Sequence, residues 1–227
     1  MRTLAILPVK SFGAAKQRLA ESLGTGSRLA LAQAMFADVL ASARRAPGID
    51  LIAVVTSDRV AESAASGSRV LVIREDGESG HSAAATLGIR HALAEGYDRV
   101  LLIPGDTPLV QPAELAALLA GATGVVVVPD RHGTGTNALL MAPPDAIEPS
   151  FGPGSFERHV AAAEAAGIPH RVEEIPGLVL DVDTPGDLAE LSAELELSRG
   201  AAPATRGALR QLDRAGAHPM RQPHLSG

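Results

Sequence analysis

Residues 124–142 read GVVVVPDRHGTGTNALLMA: two strand-like runs joined by a glycine-rich loop, with no helix between them. That stretch decides the fold. Parallel neighbours in a sheet need a helical crossover, whereas two strands joined by a short loop pair antiparallel. A sheet containing this pair is mixed, whatever the rest of the chain does.

Upstream the pattern is different. The short aliphatic runs TLAILPV (3–9), DLIAVVTSD (50–58), SRVLVIRED (68–76) and DRVLLIPGD (98–106) read as strands, each followed by a helical stretch. SRLALAQAMFADVLASARRA (27–46) places Leu29, Ala32, Met35, Phe36, Val39 and Leu40 on one face of a long helix. VAESAASG predicts a short helix, HSAAATLGIRHALAEG (81–96) one closed by Gly96, and QPAELAALLAGA one with Pro112 in its first turn. Downstream, FGPGSFERHVAAAEAAG (151–167) reads as a loop entering a helix. PHRVEEIPGLVLDVDTPGDLAELSAEL (169–195) reads as a strand pair and a last helix, with Thr184 as N-cap and Pro185 at the first position. The fold class is α/β: a single Rossmann-like, three-layer domain over residues 1–198 with a mostly parallel mixed sheet. From Arg199 no periodicity is sustained, and residues 199–227 are expected to form a disordered basic tail.

Composition narrows the function. Aromatic content is 2% without tryptophan, and the formal net charge is −6, which together argue against stacking on bases or wrapping a phosphate backbone. The last 29 residues hold five Arg and one Asp, a formal +4, which leaves −10 on the first 198. A body so charged needs local cations or a metal ion to receive an anionic substrate. Cysteine is absent, which excludes disulfides and thiolate metal sites. No apolar run suits a signal peptide or a membrane span, so a soluble cytoplasmic protein without membrane or nucleic-acid partners is expected.

Ligands of open α/β sheets bind beyond the carboxyl ends of the strands. Four loops there stand out. KSFGAAKQRL holds Lys10, Lys16 and Arg18, and Lys10 and Lys16 are the only two lysines among 20 Lys and Arg residues. It is neither a Walker A sequence nor a G-x-G-x-x-G fingerprint, and its alternatives are a phosphate site or a solvated basic loop. LLIPGDTP puts Asp106 at a strand end, as catalytic carboxylate or plain N-cap. GLVLDVDTP puts Asp181 and Asp183 two apart on an expected strand, both on one face. Crowded carboxylates invite a cation, and hard oxygen ligands suit Mg2+. PDRHGTGTNALL and FGPGSF offer backbone N–H groups, hydroxyls and a helix start (Gly133, Thr134, Gly135, Thr136, Gly152, Gly154, Ser155) for an anion cradle, or form an ordinary hairpin and Ser N-cap. The seven histidines show no zinc-ligand spacing. His132 is placed near the ligand; His91, His159 and His170 are read as surface residues. Nothing suggests a covalent nucleophile.

Taken in order, LPVKSFGAAKQRL, LLIPGDTPL, VVVPDRHGTGTNALL, FGPGSFERH and LDVDTPGDL resemble the guanylyltransferases of coenzyme F420 biosynthesis, over residues 1 to about 196. This family activates phosphoenolpyruvate or 2-phospho-L-lactate with GTP. It belongs with the nucleotidyltransferases that include the molybdenum-cofactor enzymes. The resemblance implies a nucleotidyltransferase (GT-A-like) fold and Mg2+ as cofactor. It also implies GTP and a small phosphorylated carboxylic acid as partners, with a downstream transferase of the same pathway. By position it implies Lys10, Lys16 and Arg18 as catalytic cations, with Lys10, Lys16, Gly80 and Asp106 at the nucleotide. Asp106 and Asp183 would hold the metal with Asp181 as helper, and Asn137, Gly152 and Ser155 would bind phosphoenolpyruvate. Where relatives show Gly-Leu-Asn-Ala-Ala, this chain has Gly80-His81-Ser82-Ala83-Ala84. The rival readings are a 3-phosphoglycerate, molybdopterin or sugar-phosphate nucleotidyltransferase, a glycosyltransferase using DVD, and a silent nucleotide-binding regulator.

Overall fold

Aliphatic runs without alternation make strands buried on both faces, as at 3–8, 51–56, 99–102, 124–129 and 136–142, while the edge run at 70–74 is half-buried. The computed structural model describes residues 1–13, 16–20, 22–65, 67–77, 80–198 and 200–214. In chain order it contains β1 (Thr3–Pro8), α1 (Thr25–Arg45), β2 (Leu51–Thr56), α2 (Arg59–Ala64), β3 (Val70–Arg74), α3 (His81–Ala94) and β4 (Arg99–Leu102). There follow α4 (Pro112–Leu119), β5 (Gly124–Pro129), β6 (Thr136–Ala142), α5 (Ser155–Ala165), β7 (His170–Val172), α6 (Pro185–Leu197) and α7 (Pro203–Arg214).

The strands form one sheet in the order β3-β2-β1-β4-β6-β5-β7. β6 runs antiparallel to both of its neighbours, as the 124–142 stretch requires, and the other pairings are parallel. β1 is central, with Ile6 opposite Ala53 on one side and Leu102 on the other. The chain leaves β1 toward β2 and later returns on the other side as β4, so the strand order reverses between them. A crevice opens at their carboxyl ends.

One face of the sheet carries α1, α2 and α4, where Phe36 and Leu115 pack with Leu7 and Leu101. The opposite face carries α3 and α5, where Ala85 and Ala163 join Ile6, Leu102 and Val127. α3 lies unusually close to β1, because a Cβ on Gly88 would fall 2.6 Å from Cγ2 of Ile6. That approach brings the start of α3 to the end of β1. No described helix is long and apolar enough to cross a membrane.

Two expectations are corrected. The segment 203–214, read as part of a disordered tail, is the helix α7. Its Leu209 and Leu212 are buried with Leu31 and Met35 of α1 and Leu188 and Leu191 of α6. Buried Asp38 of α1 receives the first-turn N–H groups of Ala204 (3.1 Å) and Thr205 (2.7 Å), and Arg206 donates to the α6 carbonyls of Leu195 (2.6 Å) and nearby Ser198 (2.8 Å). Residues 215–227 of that tail lie outside the described residues. The expected strand pair in 169–182 is one strand, β7; residues 180–183 are outside the sheet. Alternation persists there without a ladder, since Leu180 and Val182 are buried while Asp181 and Asp183 are half-buried.

Candidate active site

The lysine loop is anchored at both ends. Phe12 packs on Phe36 with ring centroids 5.6 Å apart, and its N–H donates to Asp58 at 2.8 Å. Leu19 is buried beyond it. Between them Lys16 adopts φ 58°, ψ 38°, a left-handed backbone that costs a non-glycine residue about 1–2 kcal/mol. This turn carries its ammonium between two carboxylates, 2.5 Å from Asp106 Oδ2 and 2.9 Å from Asp183 Oδ1. Only 6% of the Lys16 side chain is exposed. Burial lowers its pKa, but the charges of Asp106 and then Asp183 outweigh that and hold it above lysine's ordinary range. Ala14 and Ala15 lie outside the described residues.

The two acidic loops are tied together by the Val182 N–H, which donates to the Asp106 carbonyl at 3.3 Å. Asp187, at the third position of α6, accepts the N–H groups of Asp183 (2.9 Å) and Thr184 (2.6 Å), while Thr184 caps α6 as expected. Arg131 pairs with Asp187 and Glu190 and so joins the glycine-rich loop to this support. Asp181 has its pKa raised, chiefly by burial and then by the charge of Asp106. Among the described residues no group of three or more His, Asp or Glu has metal-ligand geometry. The donor set is instead two carboxylate oxygens converging on one cation, which fits an ion that completes its shell with water and substrate phosphate.

Two clefts meet at Asp106, Asp183 and His81. The larger, about 660 Å3, is bounded by Arg18, Asn137, Gly152 and Ser155. The smaller, about 410 Å3, holds Lys10 and Lys16. The structure therefore separates the lysines from Arg18. Gly80, at φ 94°, starts α3 beside Lys10 in a small recess. His81, following it, has its pKa lowered by burial and then by Lys10.

The backbone cradle expected in PDRHGTGTN is filled from within. Asp130 accepts the N–H groups of His132, Thr134 and Gly135, and its carbonyl takes that of Gly133. The first N–H groups of α5 are used as well: Ser155 donates to Gly152 O and Phe156 to Thr134 O. Glycine is required at Gly152 (φ 109°) and Gly154 (φ 72°) to make this turn. What remains facing the larger cleft is hydroxyl chemistry. Ser155 is among the residues lining the cleft, is 1% exposed, and its buried Oγ has no partner among the described residues. The Asn137 amide hydrogens go to Leu178 O (2.7 Å), Val179 O (3.3 Å) and Asp181 Oδ1 (3.2 Å), so Asn137 braces the acidic loop.

The chain is similar to known proteins over nearly its whole length. The family model described as "Guanylyl transferase CofC like" matches residues 3–213. The chain belongs to the CofC-like guanylyl transferases. A phosphoenolpyruvate guanylyltransferase from Conexibacter woesei is 48% identical over 93% of this chain and 97% of its own length. A 2-phospho-L-lactate guanylyltransferase from Methanothermobacter thermautotrophicus is 34% identical over 84% of each. The solved structure of a nucleotidyl transferase from the same organism shares the fold at TM-score 0.62 and 22% identity, covering 85% of this chain and 97% of its own. The match of this guanylyl transferase to its family runs through α7, in keeping with the ordered helix there.

Several residues around the two clefts escaped the sequence reading. Asp187 and Arg131 had only the capping position after DTP as a signal. His81 stood at a departure from the family pattern without an assigned role. His159, read as a surface residue, is fully buried on α5 (0% exposed), where its ring joins two loops of the larger cleft. An apolar helix face interrupted by a histidine was the available sign.

Proposed function

We propose that this guanylyl transferase condenses GTP with phosphoenolpyruvate, giving enolpyruvoyl-2-diphospho-5'-guanosine and diphosphate, a step of coenzyme F420 biosynthesis. The observation that carries the reading is the meeting of Lys16 with Asp106 and Asp183 where the two clefts join. The smaller cleft, with Lys10, Lys16 and nearby Gly80, suits the nucleotide's phosphates. The larger, with Gly152 and a Ser155 hydroxyl that has no partner among the described residues, suits a small anionic acceptor, while Asn137, whose amide hydrogens go to the acidic loop, supports it from behind. The name of the Conexibacter woesei relative supports phosphoenolpyruvate as that acceptor.

In the reaction an acceptor phosphate oxygen attacks the α-phosphorus of GTP. A phosphorus–oxygen bond forms there, the bridge to the β-phosphate breaks, and diphosphate leaves with the bonding electrons. A phosphate monoester, with a second pKa of about 6, is already ionised at pH 7, so no side chain needs to take a proton. What the chain must do is align two polyanions and offset their charge. Lys10 and Lys16 meet the departing diphosphate, and Arg18 faces the acceptor. Asp106 and Asp183 would hold Mg2+ with Asp181 beside them, their oxygens already converging on the Lys16 ammonium. When bound, Mg2+ supplies Lewis-acid neutralisation of phosphate charge. Asp187 and Asn137 fix the loop that presents Asp183 and Asp181.

The test is diphosphate release from four nucleoside triphosphates against phosphoenolpyruvate, 2-phospho-L-lactate and 3-phosphoglycerate. GTP with phosphoenolpyruvate is expected to give the highest kcat/KM. A different best pair reassigns the substrates, and no release with any pair removes the reading.

A further inference from the structure

Asp106 and Asp183 are partly open to solvent, while the cation between them is not. Their side chains are 27% and 47% exposed, against 6% for Lys16. Both aspartates are among the residues lining both clefts, and Lys16 is among those of the smaller one. Its ammonium neutralises the pair from the protein side, 2.5 Å from Asp106 Oδ2 and 2.9 Å from Asp183 Oδ1. To reach that point its backbone holds a left-handed conformation, which persists only where neighbours enforce it. Among the described residues no other cation is paired with either carboxylate.

One ammonium cannot serve two places at once. A Mg2+ ion drawn to the same two oxygens, at about 2.0–2.1 Å, meets a fixed positive charge beside them, and that repulsion is strong where water is excluded. Lysine carries its charge at the tip of a flexible four-carbon stem. Rotation about that stem moves the ammonium within the smaller cleft, where Lys10 also lies, while Phe12 and Leu19 keep the loop anchored. We propose that Lys16 is a displaceable counter-ion. Its ammonium holds the metal's position between Asp106 and Asp183, and yields it to Mg2+ when the nucleotide's phosphates enter the smaller cleft to receive it. Mg2+ alone must evict the ammonium with no anion to take it, and so binds weakly. Metal and nucleotide therefore raise each other's affinity, by the same factor in either order. The inference rests on Asp106 and Asp183 being the metal's carboxylates.

The experiment measures binding of Mg2+ alone, without nucleotide, by titration calorimetry and by the rise of Tm with added metal. Lys16→Met keeps most of the stem and removes its charge. It is expected to bind Mg2+ at least about tenfold more tightly than wild type, within the usual span of coupling between two sites. Lys10→Met removes an exposed charge from the same loop and should stay within about threefold of wild type. Lys16→Met combined with Asp183→Asn should lose the gain. The chain has only two lysines, so 13C-labelled lysine gives two Cε signals, assigned with Lys10→Arg. Titrating wild type to saturation with Mg2+ should carry the Lys16 signal toward that of a freely rotating lysine. This readout stands should Lys16→Met fail to fold, which its Tm without metal would show. A folded Lys16→Met with unchanged or weaker Mg2+ affinity, or a Lys16 signal that keeps its place while wild type binds Mg2+, would overturn the inference. The ammonium would then back the carboxylates with the metal in front of them. A double variant that keeps the gain would remove the metal assignment itself.

Discussion

Between Asp106 and Asp183 the Lys16 ammonium satisfies two carboxylate oxygens from one point, 2.5 and 2.9 Å away. A guanidinium delivers its charge through a flat fork and cannot stand at that point, so arginine is a poor substitute. Lys16→Met is expected to lower kcat/KM by about 100-fold or more, and Lys16→Arg to recover no more than about a tenth of wild-type activity. Steady-state diphosphate release checks both. His159 gives a pH prediction. Its folded pKa, near 4, lies below the unfolded value of about 6.5, so the unfolded chain binds the extra proton between those limits. This contribution to stability is complete above pH 6.5 and is lost as pH falls toward 4. At pH 5 the loss is about 2 kcal/mol. Between pH 7.5 and 5 the wild-type Tm should drop several degrees more than that of His159→Gln, as calorimetry would record; equal drops contradict it. Lys16, Asp106 and Asp183 were legible as candidates because residue type and the composition of their loops name them, and the structure brings the three together. His159 and Asp187 were not, because their partners lie in other loops and become neighbours only on folding.

Elements carry the site through two close contacts. α3 reaches the crevice because Gly88 lets it rest on Ile6. Gly88→Ala would overpack that contact at a cost of about 1–3 kcal/mol, seen as a lower urea midpoint; an unchanged midpoint would mean that α3 shifts freely. α7 is held by the buried Asp38 carboxylate on its first-turn N–H groups. Asp38→Ala should cost about 1–2 kcal/mol, like the loss of a helix cap, and speed proteolysis between α6 and α7. The four strand–helix repeats and the 124–142 hairpin were readable because local periodicity fixes them. α7 was missed because Leu209 and Leu212 lie among arginines and alanines, and their burial depends on a surface of α1 and α6 that the segment itself does not encode.

For the molecule as a whole, the difficulty is charge. With α7 part of it, the folded body over residues 1–214 carries a formal charge of −7 and must bring two polyanionic substrates into contact. The fold answers by placing its lysine loop and two aspartate loops at the reversal of strand order, where one cluster faces both clefts. The decisive measurement is diphosphate release from GTP and phosphoenolpyruvate across a Mg2+ titration for wild type, Asp106→Asn and Asp183→Asn. Each substitution is predicted to reduce Mg2+-dependent kcat/KM at least about 100-fold, close to 2.7 kcal/mol of transition-state stabilisation, in protein that remains folded. Near-wild-type turnover in both variants would contradict the account.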